Sequence, residues 1–233
     1  MSFREWPRFD EFLDSLKTVG IQKVYLTGQN TDALLCRNLG ALIEYVQGRG
    51  LGIGLRTNGV LALRHMAAIN QADLETGYSI HSLDDAVNKK IMGCKCPDWA
   101  RIIPATQRCR ISVVVCRYNV DEFFSLMKYI SKFSNVQHVQ ARRISTETRR
   151  DELYPDLEIY ENLHEEVAQK YPVVKEFYGA PIYSIHGVEV AFWRTVKTSI
   201  GSVNYFTDGT ISNDYFVIKG YTDSIGKSLS VKY

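Results

Sequence analysis

Near-continuous apolar strands alternating with amphipathic helices constrain this chain more than any other feature of its sequence. Residues 110–117 (RISVVVCR) carry a run of β-branched side chains and give the strongest strand signal. Phe9, Phe12, Leu13, Leu16 and Val19 fall at helical spacing and predict a helix over residues 8–18, ended by Gly20. Beyond it, strands are predicted at residues 23–27 (KVYLT), 52–56 (GIGLR, weakened by two glycines), 74–80, 110–117 and 136–141. Helices are predicted between and after them, at residues 34–47, 61–69, 83–92, 97–103, 120–133 and 155–170. Apolar strands joined by helices call for a parallel sheet covered by those helices, so the fold class is α/β. After Tyr171 the texture changes to Tyr, Val, Phe, Ile and Thr, with turn signals at Tyr178-Gly179, His186-Gly187 and Asp208-Gly209. Residues 1–170 are therefore read as a barrel core and residues 171–233 as a β-rich extension packed on it.

Composition excludes several classes. The 233 residues can bury one good core, and the net charge of +2 points to neither nucleic acid nor a membrane surface. The longest clean apolar stretch, residues 111–116, is far too short to span a bilayer. No charged n-region and apolar h-region follow Met1, so a cytoplasmic location is expected. Five cysteines, an odd number, read there as reduced thiols rather than as a disulfide framework.

In parallel α/β barrels the chemistry sits at the C-terminal ends of the strands. Polar residues recur at those ends: Thr27-Gly28-Gln29-Asn30-Thr31-Asp32, Arg56-Thr57-Asn58-Gly59, Ser79-Ile80-His81-Ser82, Arg117-Tyr118-Asn119 and Arg142-Arg143-Ile144-Ser145-Thr146. Five hydrophilic strand ends around one rim make a pocket for a polar ligand; the plainer alternative is that each caps the helix after it. The basic run 142–150 offers either a closure over an anionic substrate or a solvated loop paired with Glu147, Asp151 and Glu152. Glu158, Glu161, Glu165 and Glu166 read as an exposed helix face. Tyr178, Tyr183, Phe192, Trp193, Tyr205 and Phe206 read as core of the C-terminal β region.

The ordered set of a strand ending in Thr-Gly-x-x, one ending in Thr57-Asn58-Gly59 and one ending in Ser79-Ile80-His81-Ser82 resembles the radical S-adenosylmethionine (radical SAM) core. The resemblance runs from about residue 8 to about residue 146, more loosely to the Asp208-Gly209 turn. It implies an incomplete parallel (β/α) barrel of the radical SAM type with additional C-terminal β segments. In that family the first loop usually reads Gly-Gly-Glu-Pro and hydrogen-bonds the amino group of SAM; here Gly28 matches, while Gln29, Asn30 and Thr31 depart from it. Amide oxygens still accept from an ammonium, and Asp32 is positioned to supply the missing charge. The resemblance further assigns Thr57 and Asn58 to the SAM site, Ser79 and His81 to the SAM ribose or carboxylate, and Asn119 to ribose or adenine. Arg143 is expected to pair with a carboxylate, which its fork fits bidentately.

One part of the family pattern is missing. Radical SAM enzymes hold a 4Fe-4S cluster on a CxxxCxxC loop, and Cys36, Cys94, Cys96, Cys109 and Cys116 form no such motif. Cys116 reads as core packing, and Cys94-Lys95-Cys96 lacks third and fourth ligands, so no metal site is expected in this chain. The resemblance implies a protein that cleaves SAM to a 5′-deoxyadenosyl radical, with a reductant protein as partner, and this chain alone is expected to be inactive. In-frame coding sequence for a strand and a CxxxCxxC loop is expected upstream of Met1. Without that strand, the 23–27 strand should keep one unpaired edge, and Phe9, Phe12 and Leu16 part of an uncovered helix face. The alternative is a non-catalytic remnant barrel that binds a nucleotide-like ligand or a partner subunit.

Overall fold

The computed structural model describes residues 2–28, 31–143, 156–177, 179–193 and 203–212. Five strands follow in chain order and pair parallel with their successors: β1 (Lys23–Leu26), β2 (Gly52–Thr57), β3 (Thr76–Ser79), β4 (Cys109–Val115) and β5 (Val136–Arg143). Then come β6 (Val173–Phe177), β7 (Ala180–Ile185) and β8 (Val188–Trp193), giving one sheet in the order β1-β2-β3-β4-β5-β8-β7-β6. β8 is parallel to β5, whereas β7 and β6 add antiparallel. The sheet is open: among the described residues, β1 has a strand partner on one side only, and so has β6. This is the incomplete barrel expected from the sequence, with β6 to β8 continuing the same sheet.

Helices α1 (Phe9–Thr18), α2 (Leu39–Gln47), α3 (Met66–Gln71), α4 (Asp85–Met92), α5 (Trp99–Ala105), α6 (Phe123–Ile130) and α7 (Asp156–Lys170) fill the connections. Right-handed crossovers place such helices on one face of a parallel sheet. The buried core lies between them and that face, with Ile53, Leu55, Tyr78, Ile111, Val113, Val139 and Val190 beneath Leu42, Ile43, Ile102, Leu126, Met127 and Val167. Capping sets several helix ends: the Asp84 carboxylate accepts from the Ala86 and Val87 amides, and Gly93, at φ 73°, ends α4. The helix expected over residues 34–47 is broken. Asp32 caps a 3-10 turn at Ala33–Leu35, and α2 starts only at Leu39. The stretch from residue 61 likewise begins as a 3-10 turn, Ala62–His65, before α3.

The expected bare face on α1 is not found. Phe9, Phe12 and Leu16 are buried. A short hairpin, β9 (Asn204–Tyr205) and β10 (Ile211–Ser212), lies on that face and sets Tyr205 5.1 Å from both Phe9 and Phe12, ring to ring. The Tyr205 hydroxyl donates to the Pro7 carbonyl at 2.7 Å. Phe3, Trp6 and Tyr45 complete the aromatic cluster. Tyr205 therefore belongs to the first helix rather than to a separate C-terminal core, because the hairpin's aromatic ring can remove more apolar surface from water there.

β8 joins the barrel core through Phe192, which stacks on His164 of α7 at 4.5 Å and meets Tyr160, Phe123 and Tyr183 within 6.0 Å. Phe192→Ala should cost about 3–5 kcal/mol in urea unfolding, because a buried ring with this many neighbours leaves a cavity that cannot close. A change below about 1 kcal/mol would mean that β8 is not integral to the core.

Candidate functional site

Strand parity defines the lumen. Side chains alternate between faces, so opposite the buried Ile53, Leu55, Ile111, Val113, Val139, Ala141, Val190 and Phe192 stand Gly54, Arg56, Arg110, Ser112, His138, Gln140, Arg142, Glu189, Ala191 and Trp193. Register sets Arg56 beside Gly77, Gly77 beside Arg110, Ser79 beside Ser112, Ser112 beside Gln140, and Arg142 beside Trp193.

A polar network floors this lumen. The Tyr25 hydroxyl donates to Glu75 at 2.9 Å, and the Arg56 guanidinium covers the Tyr25 ring at 4.5 Å. Arg110 lies 3.8 Å from Glu75 and donates to Gln140. Gly77 makes room for it: a Cβ there would meet Arg110 Nη2 at 3.1 Å. Lys175 pairs with Glu189 at 2.5 Å. Burial pushes the Tyr25 phenol up to about 12, helped by its bond to Glu75. Burial holds His138 below its ordinary value, against the pull of Glu75 and Glu189.

At the strand ends the sequence-predicted residues divide by what they already do. Asp32 is a clamp: its carboxylate accepts from the Thr57 hydroxyl at 2.8 Å, the Asn58 amide at 2.7 Å and the Leu34 amide at 2.9 Å. Thr57 Oγ1 in turn accepts from the Gly59 amide at 3.0 Å. Gly59 has φ +81°, and a Cβ there would sit 2.3 Å from the Trp99 ring. Asn58 spends Oδ1 on the Val60 amide at 3.0 Å, which leaves its NH₂ group as what it can offer a ligand. Gly28 is fixed by close approach, since a Cβ would meet the Thr31 carbonyl oxygen at 2.1 Å. Gln29, Asn30 and residues 144–155 lie outside the described residues.

His81 and Asn119 close the gap where β3 and β4 part. His81 Nδ1 accepts from the Val114 amide at 3.0 Å, so the neutral ring carries its proton on Nε2. Asn119 donates to the His81 and Val114 carbonyls at 2.8 and 2.9 Å and accepts from the Cys116 amide at 2.9 Å. Its amide is therefore engaged in joining the strand ends. Ser79 stands on the lumen face beside Ser112. Arg143 is in register with Val115, on the helix-covered face, whereas Arg142 is the guanidinium that β5 turns toward the lumen. Arg110 was not singled out from the sequence; Arg56 and Arg142 stood among the polar strand ends without an assigned role, and Trp193 was read as core of the C-terminal β region. The signal was available in the strand period, because fixing Val139 and Ala141 as core fixes Arg142 as lumen.

The five cysteines lie at separate points of the fold, apart from the pair Cys94 and Cys96. Cys36 follows β1, Cys94 and Cys96 follow α4, and Cys109 and Cys116 are buried at opposite ends of β4. Burial and the neighbouring Asp85 and Asp84 push the Cys96 thiol up to about 11, and burial alone pushes Cys109 up to about 12. Such thiols resist forming thiolates. Among the described residues no three His, Cys, Asp or Glu side chains gather to hold a metal ion. Among them, too, no helix is long and apolar enough to cross a membrane.

No protein-family model and no curated protein sequence matches this chain. Solved structures do. SuiB of Streptococcus suis bound to S-adenosylmethionine superposes with TM-score 0.66 at 14% identity, covering 92% of this chain and 53% of SuiB. SuiB bound to its precursor peptide SuiA gives 0.66 at 14% identity, with 94% and 54% covered. TYW1 with a lysine–pyruvate adduct gives 0.50 at 17% identity, with 76% and 62% covered. The chain spans about half the length of SuiB. At these identities the likeness is one of fold: a mostly parallel α/β sheet, open rather than closed.

Burial lowers the pKa of His81 to about 4, with the Arg142 charge acting the same way. A depressed histidine contributes stability above its unfolded value near 6.5 and loses it as pH falls toward 4. His81→Asn keeps an acceptor for the Val114 amide but cannot titrate. Its stability should fall less than that of the wild type between pH 7 and pH 4 in urea titrations. Parallel curves for both would remove His81 as the cause.

Proposed function

We propose that this chain is the barrel part of a radical SAM protein and binds S-adenosylmethionine at the C-terminal ends of β1 to β4. The observation that supports this most is the superposition on SAM-bound SuiB across 92% of the chain, with the polar strand ends at the rim. Asn58, Ser79 and the Nε2–H of His81 are the groups offered to the ligand, with the loop of Gly28, Gln29 and Asn30 accepting from its ammonium. Asp32, Thr57 and Asn119 hold those groups in place rather than touch the ligand. Of the two arginines, Arg142 stands on the ligand side. The five cysteines do not supply the cluster's thiolates, so reductive cleavage is assigned to a form or assembly that carries a CxxxCxxC loop and meets a reductant protein in the cytoplasm. SuiB has been solved with a precursor peptide, which makes a peptide the first substrate class to test. A remnant barrel that only binds a nucleotide-like ligand is the second reading, favoured by thiols whose ionisation the fold suppresses.

Titration calorimetry of SAM tests the binding. Ser79→Ala and Asn58→Ala should each weaken it by about tenfold, the cost of one lost hydrogen bond in a buried site. Wild-type protein with no SAM affinity, or variants that match it, would refute the site. Anaerobic incubation with iron and sulfide should leave the chain without a four-iron cluster. About four irons per chain with a cluster resonance would overturn that part of the reading.

A further inference from the structure

We propose that Cys94 and Cys96 form a redox-active dithiol, which exchanges with a low-molecular-weight disulfide and closes to a bond between the two residues, releasing the Ser82 carbonyl at the end of β3. The site is independent of the radical SAM reading, in which these thiols have no role. Both residues are half-buried, whereas Cys109 and Cys116 are buried. They lie on the loop between Gly93, which ends α4, and Asp98, which caps α5. That loop is folded back and held on α4. Asn88 Nδ2 donates to the Cys94 carbonyl at 3.0 Å and lies 3.9 Å from Cys94 Sγ. One turn earlier, the Asp85 carboxylate accepts from the Cys96 amide at 2.9 Å. Cys96 Sγ donates to the Ser82 carbonyl at 3.4 Å. Both sulfurs therefore lie on the α4 side of the loop, and Cys96 is within reach of the Cys94 charge. Residues two apart in a chain have Cα atoms at most about 7.2 Å apart, and disulfides join Cα atoms about 4.4–6.8 Å apart. A slight bend at the exposed Lys95 closes the pair without moving a helix or strand.

The surroundings set the order of attack. Burial, with Asp85 and Asp84 beside it, pushes the Cys96 thiol up to about 11, so Cys94 is the attacking sulfur. Cys94 gives its proton to water, attacks one sulfur of the small disulfide and expels the other as a thiolate. Cys96 then gives its proton to water and attacks the Cys94 sulfur of the mixed disulfide, which expels the second small thiolate. Two protein thiols are oxidised, and one small disulfide is reduced to two thiols. The second step tolerates a thiol that ionises poorly because it is intramolecular. The closed pair has no S–H, so Ser82 loses that bond. Ser82 follows His81, and its hydroxyl accepts from the Asp84 amide at 2.9 Å and donates to Glu122 at 2.5 Å. The exchange is thus felt where the loops after β3 and β4 meet.

The test uses the full chain with Cys36→Ala, which removes the other half-buried thiol and leaves four of the five cysteines. The protein is equilibrated with glutathione buffers of rising oxidised fraction, quenched in acid, alkylated with N-ethylmaleimide in urea and weighed by mass spectrometry. The oxidised chain should take up two maleimides of the four and carry no glutathione, and dithiothreitol should restore all four. Cys96→Ser should hold one glutathione at Cys94, and Cys94→Ser should react about tenfold more slowly, because its remaining loop thiol ionises poorly. Amide exchange at Asp84 should speed up in the oxidised chain. A chain that stays fully reduced in the most oxidising buffer, or keeps one glutathione at every ratio, overturns the proposal. So does a peptide map that joins Cys94 or Cys96 to Cys109 or Cys116. Unchanged exchange at Asp84 in the closed form overturns the coupling to β3.

Discussion

A strand has two faces, and here helices cover only one. Everything at the site follows from that constraint. The covered face must be apolar, which it is from Ile53 through Val190. The other face is polar, and its charges meet one another across neighbouring strands. Arg56, Glu75, Arg110 and Gln140 would be costly on a flat buried face; across a lumen they are joined in one network with Tyr25. Gly54 and Gly77 are the steric condition for this. Each lacks a side chain where a neighbour's ring or guanidinium lies, Tyr25 in one case and Arg110 in the other.

The order of strands and helices was legible in the sequence because their periods differ, and the strands lie close to where the periods put them. Helix starts were less legible. The break at Cys36 to Asn38 depends on Asp32 capping a 3-10 turn while it also holds the Thr57 hydroxyl, a contact 25 residues away that no local pattern carries. The cover on α1 was invisible for the same reason: Tyr205 reaches Pro7 across 198 residues.

At the site, residue type and position were legible, but the hydrogen-bond partners of each side chain were not. Asp32, Thr57 and Asn119 read from sequence as ligand groups, and they stand at the strand ends as expected. Their polar atoms are engaged with backbone and with one another. A parallel sheet that splays at its C-terminal ends strands backbone amides and carbonyls there, and side chains must replace the missing ladder. Polar strand ends therefore serve two needs at once, and sequence alone cannot divide them. Arg142 and Arg143 show the limit most sharply. Adjacent and chemically identical, they are separated only by parity, and parity becomes known once Val139 and Ala141 are seen in the core.

The same division fixes the side chains of the rim in the folded state. The groups that hold the rim are tied to backbone: His81 to the Val114 amide, Asn119 to two carbonyls, Asp32 to two amides. Each tie fixes a neighbour that still has hydrogen-bonding capacity, as Asp32 fixes Asn58 and Asn119 fixes His81. Orientation is then set during folding, so a ligand at the proposed site would cost little side-chain entropy.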